Sequence, residues 1–275
     1  MSAVSRHSSG ELSHLACAGG GATPVVLLHG IGSNARSFEP LMHALQGRAR
    51  ALAWDAPGYG QSQPLTVAWP DASDYAAALR GLLDELKIAR CVLLGHSLGA
   101  LIAARFALEA CDRVAALLLV SPALGYGAKN GDALPPPVAA RIEELDRLGP
   151  EKFAAARAPG LLADAAAHPD VLVSVMRAMA AVRRPGYDQA ARLLTSGRLL
   201  EDAAKLAVPT AVIVGLQDRI TPPENVRRVF AALPQSSRHH HREIENAGHA
   251  VCQEQPSEIA RAIAEFVGHE ANAHA

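Results

Sequence analysis

Apolar positions along this chain follow two alternating patterns. Short unbroken runs, "PVVLLHG", "RALAWDAPG", "RCVLLGHS", "RVAALLLVSP" and "PTAVIVGLQD", each stop at turn residues. Runs of that length without polar alternation predict strands covered on both faces, as in a parallel sheet. Between them apolar residues recur at helical spacing: Leu79, Leu82, Leu83 and Leu86; Val226, Val229, Phe230 and Leu233; Ile259, Ala262, Ile263 and Phe266. Each set makes one apolar stripe on a helix. The alternation predicts an α/β fold with a mostly parallel, doubly wound sheet.

The rhythm breaks over 122–207, where "PPP", "GP", "APG", "HP" and "RPG" divide the chain into short helical pieces. This predicts an α/β core formed by 1–121 and 208–275, with 122–207 inserted as a helical cap. Leu172, Val175, Met176 and Met179 form an apolar stripe in the insertion, expected to pack against the core rather than contact a substrate. In "TPPE", Thr221 is expected to cap a helix whose first residue is Pro222, with Glu224 closing a capping box.

Composition narrows the function. In 275 residues, 26 basic and 27 acidic side chains nearly cancel, so no global basic field points to nucleic acid. A small molecule is the expected partner. Four scattered cysteines without CxxC pairing, and an N-terminus without a signal-peptide pattern, predict a reducing cytoplasm. No apolar run nears the roughly 20 residues that cross a bilayer, so no membrane association is expected.

Ligands of open parallel sheets bind beyond the carboxyl ends of the strands. There the sequence places His29-Gly30-Ile31-Gly32, Asp55 to Gly60 ("DAPGYG"), Gly95-His96-Ser97-Leu98-Gly99 and Asp218, with Asn246-Ala247-Gly248-His249 further on. The pattern G-x-S-x-G lets a strand turn straight into a helix and leaves its serine at an exposed, strained apex. A hydroxyl needs a base to become a nucleophile, and the base needs a carboxylate to fix its tautomer and stabilise its cation.

In the order "HGIG", "WDAPGYGQS", "GHSLGA", "GLQDRITPP" and "NAGHAVCQEQP", the chain resembles the α/β-hydrolase family across nearly its whole length. The resemblance implies Ser97 as nucleophile, Asp218 as acid and His249 as base. The backbone N–H groups of Ile31 and Leu98 would form the oxyanion hole, and no metal or organic cofactor is called for. A turn serine, a loop histidine and a helix-capping aspartate are the plainer readings of the three side chains. Asp55 is the competing carboxylate, in a turn that the family uses structurally; His29 and His96 are expected to brace loops. "RHHHRE" is expected to begin an edge strand, because consecutive strand residues alternate faces and three histidines cannot all meet one ion. Cys252 is expected to be a small buried residue.

The implied reaction is hydrolysis of a small-molecule ester or lactone through an acyl-enzyme. The chain is similar to small bacterial serine hydrolases such as carboxylesterases and 3-oxoadipate enol-lactone hydrolases. Serine at the elbow excludes the haloalkane dehalogenase pattern. Carbon–carbon hydrolases of ring-fission products often carry tryptophan after the histidine, where this chain has Ala250. That activity and a non-catalytic binding role remain the alternatives. The cap is expected to form an apolar roof over Ser97, with Arg183 or Arg184 as the side chain that would turn inward toward a substrate carboxylate, against the plainer reading of two solvated arginines.

Overall fold

A computed structural model describes residues 4–270; residues 1–3 and 271–275, which the expected core unit includes, lie outside the described residues. Its strands are β1 (Ser5–Ser9), β2 (Leu12–Cys17), β3 (Val25–Leu28), β4 (Ala51–Trp54), β5 (Cys91–His96), β6 (Val114–Val120), β7 (Thr210–Gly215) and β8 (Arg238–Ile244). They form one sheet in the order β1-β2-β4-β3-β5-β6-β7-β8. From β4 across to β8 neighbours are parallel, while β1–β2 and β2–β4 pair antiparallel. The five apolar runs are β3 to β7, and "RHHHRE" begins edge strand β8. The antiparallel β1 and β2 are not anticipated by the apolar runs, because "SRHSS" is polar and exposed at one margin of the sheet.

Alternate residues of the central strands feed two separate cores, which is why those strands read as continuously apolar. Val26, Leu28, Leu93, Leu117 and Val212 face the helices Ala72–Glu85 and Leu98–Glu109. Val25, Leu27, Leu94, Leu118 and Ile213 face Pro256–Glu270, through Ile259 and Ile263. Burying a side chain of this size contributes about 1.5–3 kcal/mol.

Between β6 and β7 the chain forms Pro136–Arg157, the short turn Ala158–Leu161, Pro169–Ala180, Gly186–Ser196 and Leu199–Ala203. The breaks fall at the Pro and Gly groups of the sequence. The first of these helices bends at Gly149, whose φ of 72° is non-helical, just before Pro150. Val175 and Met179 are buried in the core, with Leu172 and Met176 packed against it, although Val175 and Met179 also line a small chamber at Ser97. Gln189 Nε2 donates to the Leu65 and Val67 carbonyls at 2.7 and 2.9 Å, docking this segment on the sheet unit.

The capping box lies elsewhere than expected. At "TPPE" the helix is Pro223–Ala232 and Pro222 caps it with no side-chain bond, because the Thr221 hydroxyl is engaged by Ser121 and Asp218. Asp71 and Asp74 form the real box at the start of Ala72–Glu85: the Asp71 carboxylate accepts from the Ser73 and Asp74 amides, and Asp74 Oδ2 accepts from the Asp71 amide at 2.9 Å.

Asp55 anchors the turn after β4. Its buried carboxylate pairs with Arg6, accepts from Ser13 Oγ at 2.6 Å, and accepts from the Ala35 amide at 2.9 Å. Burial pushes this carboxyl up, but the hydrogen bonds from Ser13, Ala35 and Arg6 outweigh it and hold it below the ordinary value. Nearby, His29 Nδ1–H donates to the Gly30 carbonyl and its Nε2 accepts from the Ala56 amide, the bracing role expected of it. Burial lowers the His29 pKa from 6.5.

Replacing Asp55 by Asn removes the charged partner of Arg6, so urea unfolding should show stability lower by about 2 kcal/mol. A neutral buried histidine also sets a pH dependence. Above about pH 6.5 neither folded nor unfolded His29 holds the extra proton. Below that, the unfolded chain binds it and the folded one resists, so stability falls with pH. Unfolding curves between about pH 7 and 5 should show this decline, with a shallower slope in His29→Asn. Equal slopes would exclude His29 as a contributor.

Candidate active site

Ser97 sits between β5 and Leu98–Glu109 with φ 54° and ψ −115°, a conformation that L-residues rarely adopt. The turn is possible because its flanking glycines carry no side chain. A Cβ on Gly95 would lie 2.3 Å from the Gly99 carbonyl oxygen, and one on Gly99 would lie 2.2 Å from that of Leu28. The helix therefore starts directly against β3 and β5. Ser97 N–H donates to the Val120 carbonyl at 2.9 Å, tying the turn to β6.

The loops after β7 and β8 bring the two distant partners to this serine. His249 Nε2 stands 3.0 Å from Ser97 Oγ, and His249 Nδ1 stands 2.9 Å from Asp218 Oδ2. All three residues are buried. Burial alone would raise the Asp218 pKa, but the charge and hydrogen bond of His249, with further bonds from Thr221, bring it down to about 2. Asp218 is thus ionised at neutral pH. Its Oδ1 accepts from the Ile220 and Thr221 amides at 2.8 and 2.9 Å, which fixes the carboxylate plane. Asp55 takes no part in this chain of contacts.

Three further residues set the geometry. Thr221 Oγ1 lies 2.9 Å from Asp218 Oδ2 and 3.2 Å from His249 Nδ1. His96 Nε2–H donates to the His249 carbonyl at 2.8 Å; burial, then the neighbouring His249 charge, lowers its pKa to about 3, so this imidazole is a neutral brace. Glu254 accepts from the Gly248 and Ala163 amides, each at 2.8 Å, joining the histidine loop to the chain between β6 and β7. Thr221 has a different role in the sequence reading, and Glu254 has none, although both lie within the quoted motifs.

Ile31 and Leu98 line the same cavity as Ser97 and His249. Among the described residues neither amide has a protein acceptor; Leu98 opens a helix, where the first N–H groups lack intrahelical partners. The cavity measures about 350 Å³. A smaller chamber of about 40 Å³ is lined by Ser97, His249, Val175 and Met179. Two larger surface grooves, of about 710 and 750 Å³, contain none of Ser97, His249 and Asp218.

The expected apolar roof is interrupted by Arg141 and Arg157, and no carboxylate lines this cavity among the described residues. Arg183 and Arg184 do not turn inward. Arg183 donates to the Gly60 carbonyl, and Arg184 pairs with Asp146 and Asp188 at the surface. Cys252 is buried, which pushes its thiol up to about 12. At the sheet edge, ligand atoms of His239, His240 and Glu265 lie within 4.8 Å of one another, while His241 turns to Glu243. Arg242 already engages Glu265, and its cation opposes a metal ion there.

A hydroxyl hydrogen-bonded to an imidazole, itself held by an ionised carboxylate, can lose its proton to that imidazole as it attacks an electrophile. No helix of the described residues is long and apolar enough to cross a membrane.

The chain is 29% identical over 280 residues to a 2-hydroxy-6-oxononadienedioate/2-hydroxy-6-oxononatrienedioate hydrolase of Cupriavidus pinatubonensis, covering 91% of this chain and 88% of that one. Its structure is similar to a thermophilic esterase of Thermogutta terrifontis (TM-score 0.81, 25% identity, 97% and 98% coverage). It also shares its fold with the enol-lactonase of Burkholderia xenovorans (TM-score 0.80, 21% identity, 96% and 100% coverage). The sequence profile described as serine aminopeptidase, S33 matches residues 22–256, and the chain therefore belongs to that family of α/β-hydrolases.

Proposed function

We propose that the protein is a serine hydrolase of small carboxylic esters or lactones, acting through an acyl-enzyme. The observation that carries this reading is the continuous hydrogen-bonded path from Ser97 Oγ through His249 to Asp218, with Ile31 and Leu98 lining the same cavity. The Ser97 proton passes to His249 Nε2 as Oγ bonds to the carbonyl carbon, and the carbonyl electron pair moves onto oxygen, which the Ile31 and Leu98 amides stabilise. Collapse expels the alcohol, which takes the proton from His249. Water then repeats the sequence: it gives a proton to His249, attacks the acyl carbon and releases the acid, and Ser97 recovers its proton. Asp218 stays ionised and stabilises the imidazolium. No step calls for a metal or organic cofactor.

The helices of 122–207 are read as a cap, because Arg141, Arg157, Leu161 and Leu194 line the cavity that holds Ser97. The apolar Val175 and Met179 chamber suits a small acyl or leaving group.

A second reading is hydrolysis of a carbon–carbon bond in a ring-fission product, favoured by the 29% identical relative. Ala250 after His249 departs from the tryptophan often found there. A substrate panel of esters, lactones and ring-fission products, with Ser97→Ala as blank, separates the two.

Ser97→Ala and His249→Ala should each lower kcat/KM by about 10³-fold or more while circular dichroism stays native. Asp218→Asn should cost about 10³- to 10⁴-fold by misorienting the imidazole. An organophosphonate should label Ser97. Near-wild-type turnover in any of the three variants would overturn the assignment.

A further inference from the structure

Arg141 and Arg157 belong to one helical stretch, Pro136–Arg157, yet both reach the Ser97 cavity. On a straight helix, at about 1.5 Å per residue, they would stand about 24 Å apart. The bend at Gly149 and Pro150 folds the second half back toward the first. Glu144 and Arg157 pair across that bend.

The two cations differ in what neutralises them. Arg157 has its carboxylate in Glu144 and lies over the Phe153 ring at 5.3 Å. Arg141 has no carboxylate partner among the described residues. Its Nε donates to the hydroxyl of the fully buried Tyr187, and the guanidinium carbon lies 5.9 Å from that ring centre. Its Nη groups have no hydrogen-bond partner among the described residues, and Arg141 lines the cavity. Arg141 Nη2 also comes within 3.9 Å of where a Cβ on Gly32 would stand.

A half-buried cation without a counter-ion, in a cavity lined by no carboxylate, attracts an anionic ligand, and a guanidinium matches a carboxylate in both charge and shape. We propose that Arg141 recognises a carboxylate on the substrate, so that the preferred substrates are esters or lactones carrying a free acid group away from the reacting carbonyl. This rests on the cavity being the serine hydrolase site. Arg141 acts in binding and orientation and takes no part in proton transfer.

The test uses two pairs of substrates. One pair is 4-nitrophenyl hydrogen glutarate and its methyl ester, with the acid on the acyl side. The other is 4-acetoxybutanoic acid and its methyl ester, with the acid on the leaving group. Wild type should favour the acid in at least one pair, and Arg141→Gln should reduce that preference by about 10-fold or more, mainly through KM. Arg141→Lys should retain part of it, and added salt should weaken it in wild type.

Equal acid and ester rates in both pairs, with turnover abolished by Ser97→Ala, would overturn the proposal and leave the hydrolase reading standing. Loss of the preference in Arg157→Gln but not in Arg141→Gln would also overturn it. Turnover that survives Ser97→Ala would instead overturn the hydrolase reading. If neither pair is turned over, calorimetric binding of glutarate to Ser97→Ala decides. Saturable binding lost on adding Arg141→Gln supports the proposal, and no binding refutes it.

Discussion

The close contact of Leu98–Glu109 with β3 and β5 governs the rest of the site. Leu28 and Gly99 approach so tightly that no Cβ fits between them, and the same holds at Gly95. The backbone consequently has no room for an ordinary loop between strand and helix, and Ser97 takes the strained conformation at the apex. Relaxing that turn would move the hydroxyl away from His249 and the Leu98 amide away from the cavity. Strain of this kind costs of order 1–3 kcal/mol and persists because the sheet and helix on either side over-determine it.

Parallel strands deliver the partners. Since β5, β7 and β8 run the same way, their following loops emerge at one edge of the sheet, and residues 97, 218 and 249 meet there despite their separation in the chain. Each loop is then fastened by a different means: Ser97 to β6, Asp218 to its own turn amides and Thr221, and the His249 loop to His96 and Glu254. Much of the precision of the proposed catalytic residues resides in these supports.

Charge is distributed to match. Asp218 is buried and ionised beside His249, and Asp55 is buried and ionised beside Arg6, so each carboxylate is matched locally. The cavity itself carries the opposite sign through Arg141, since Arg157 is paired with Glu144. A polar group taken from water must find a partner or become a place where a ligand supplies one.

How much was legible in the sequence follows from the range of the interactions. The apolar runs of β3 to β7, the helical stripes, and the G-x-S-x-G turn are local consequences of period and sterics, so the α/β fold could be read from them, while the roles suggested for Ser97, Asp218 and His249 came from the resemblance of the ordered motifs to the α/β-hydrolase family. The polar strand β1 had no such period. Thr221 was misread because the signal for a capping threonine is local, while its actual partners, Ser121 and Asp218, include one a hundred residues away. The sequence singled out Arg183 and Arg184 as the arginines that would turn inward and gave no sign of Arg141. Only the folded chain decided between them, since the bend at Gly149 and Pro150 determines which guanidiniums face the cavity and the neighbouring carbonyls and carboxylates determine which are already engaged.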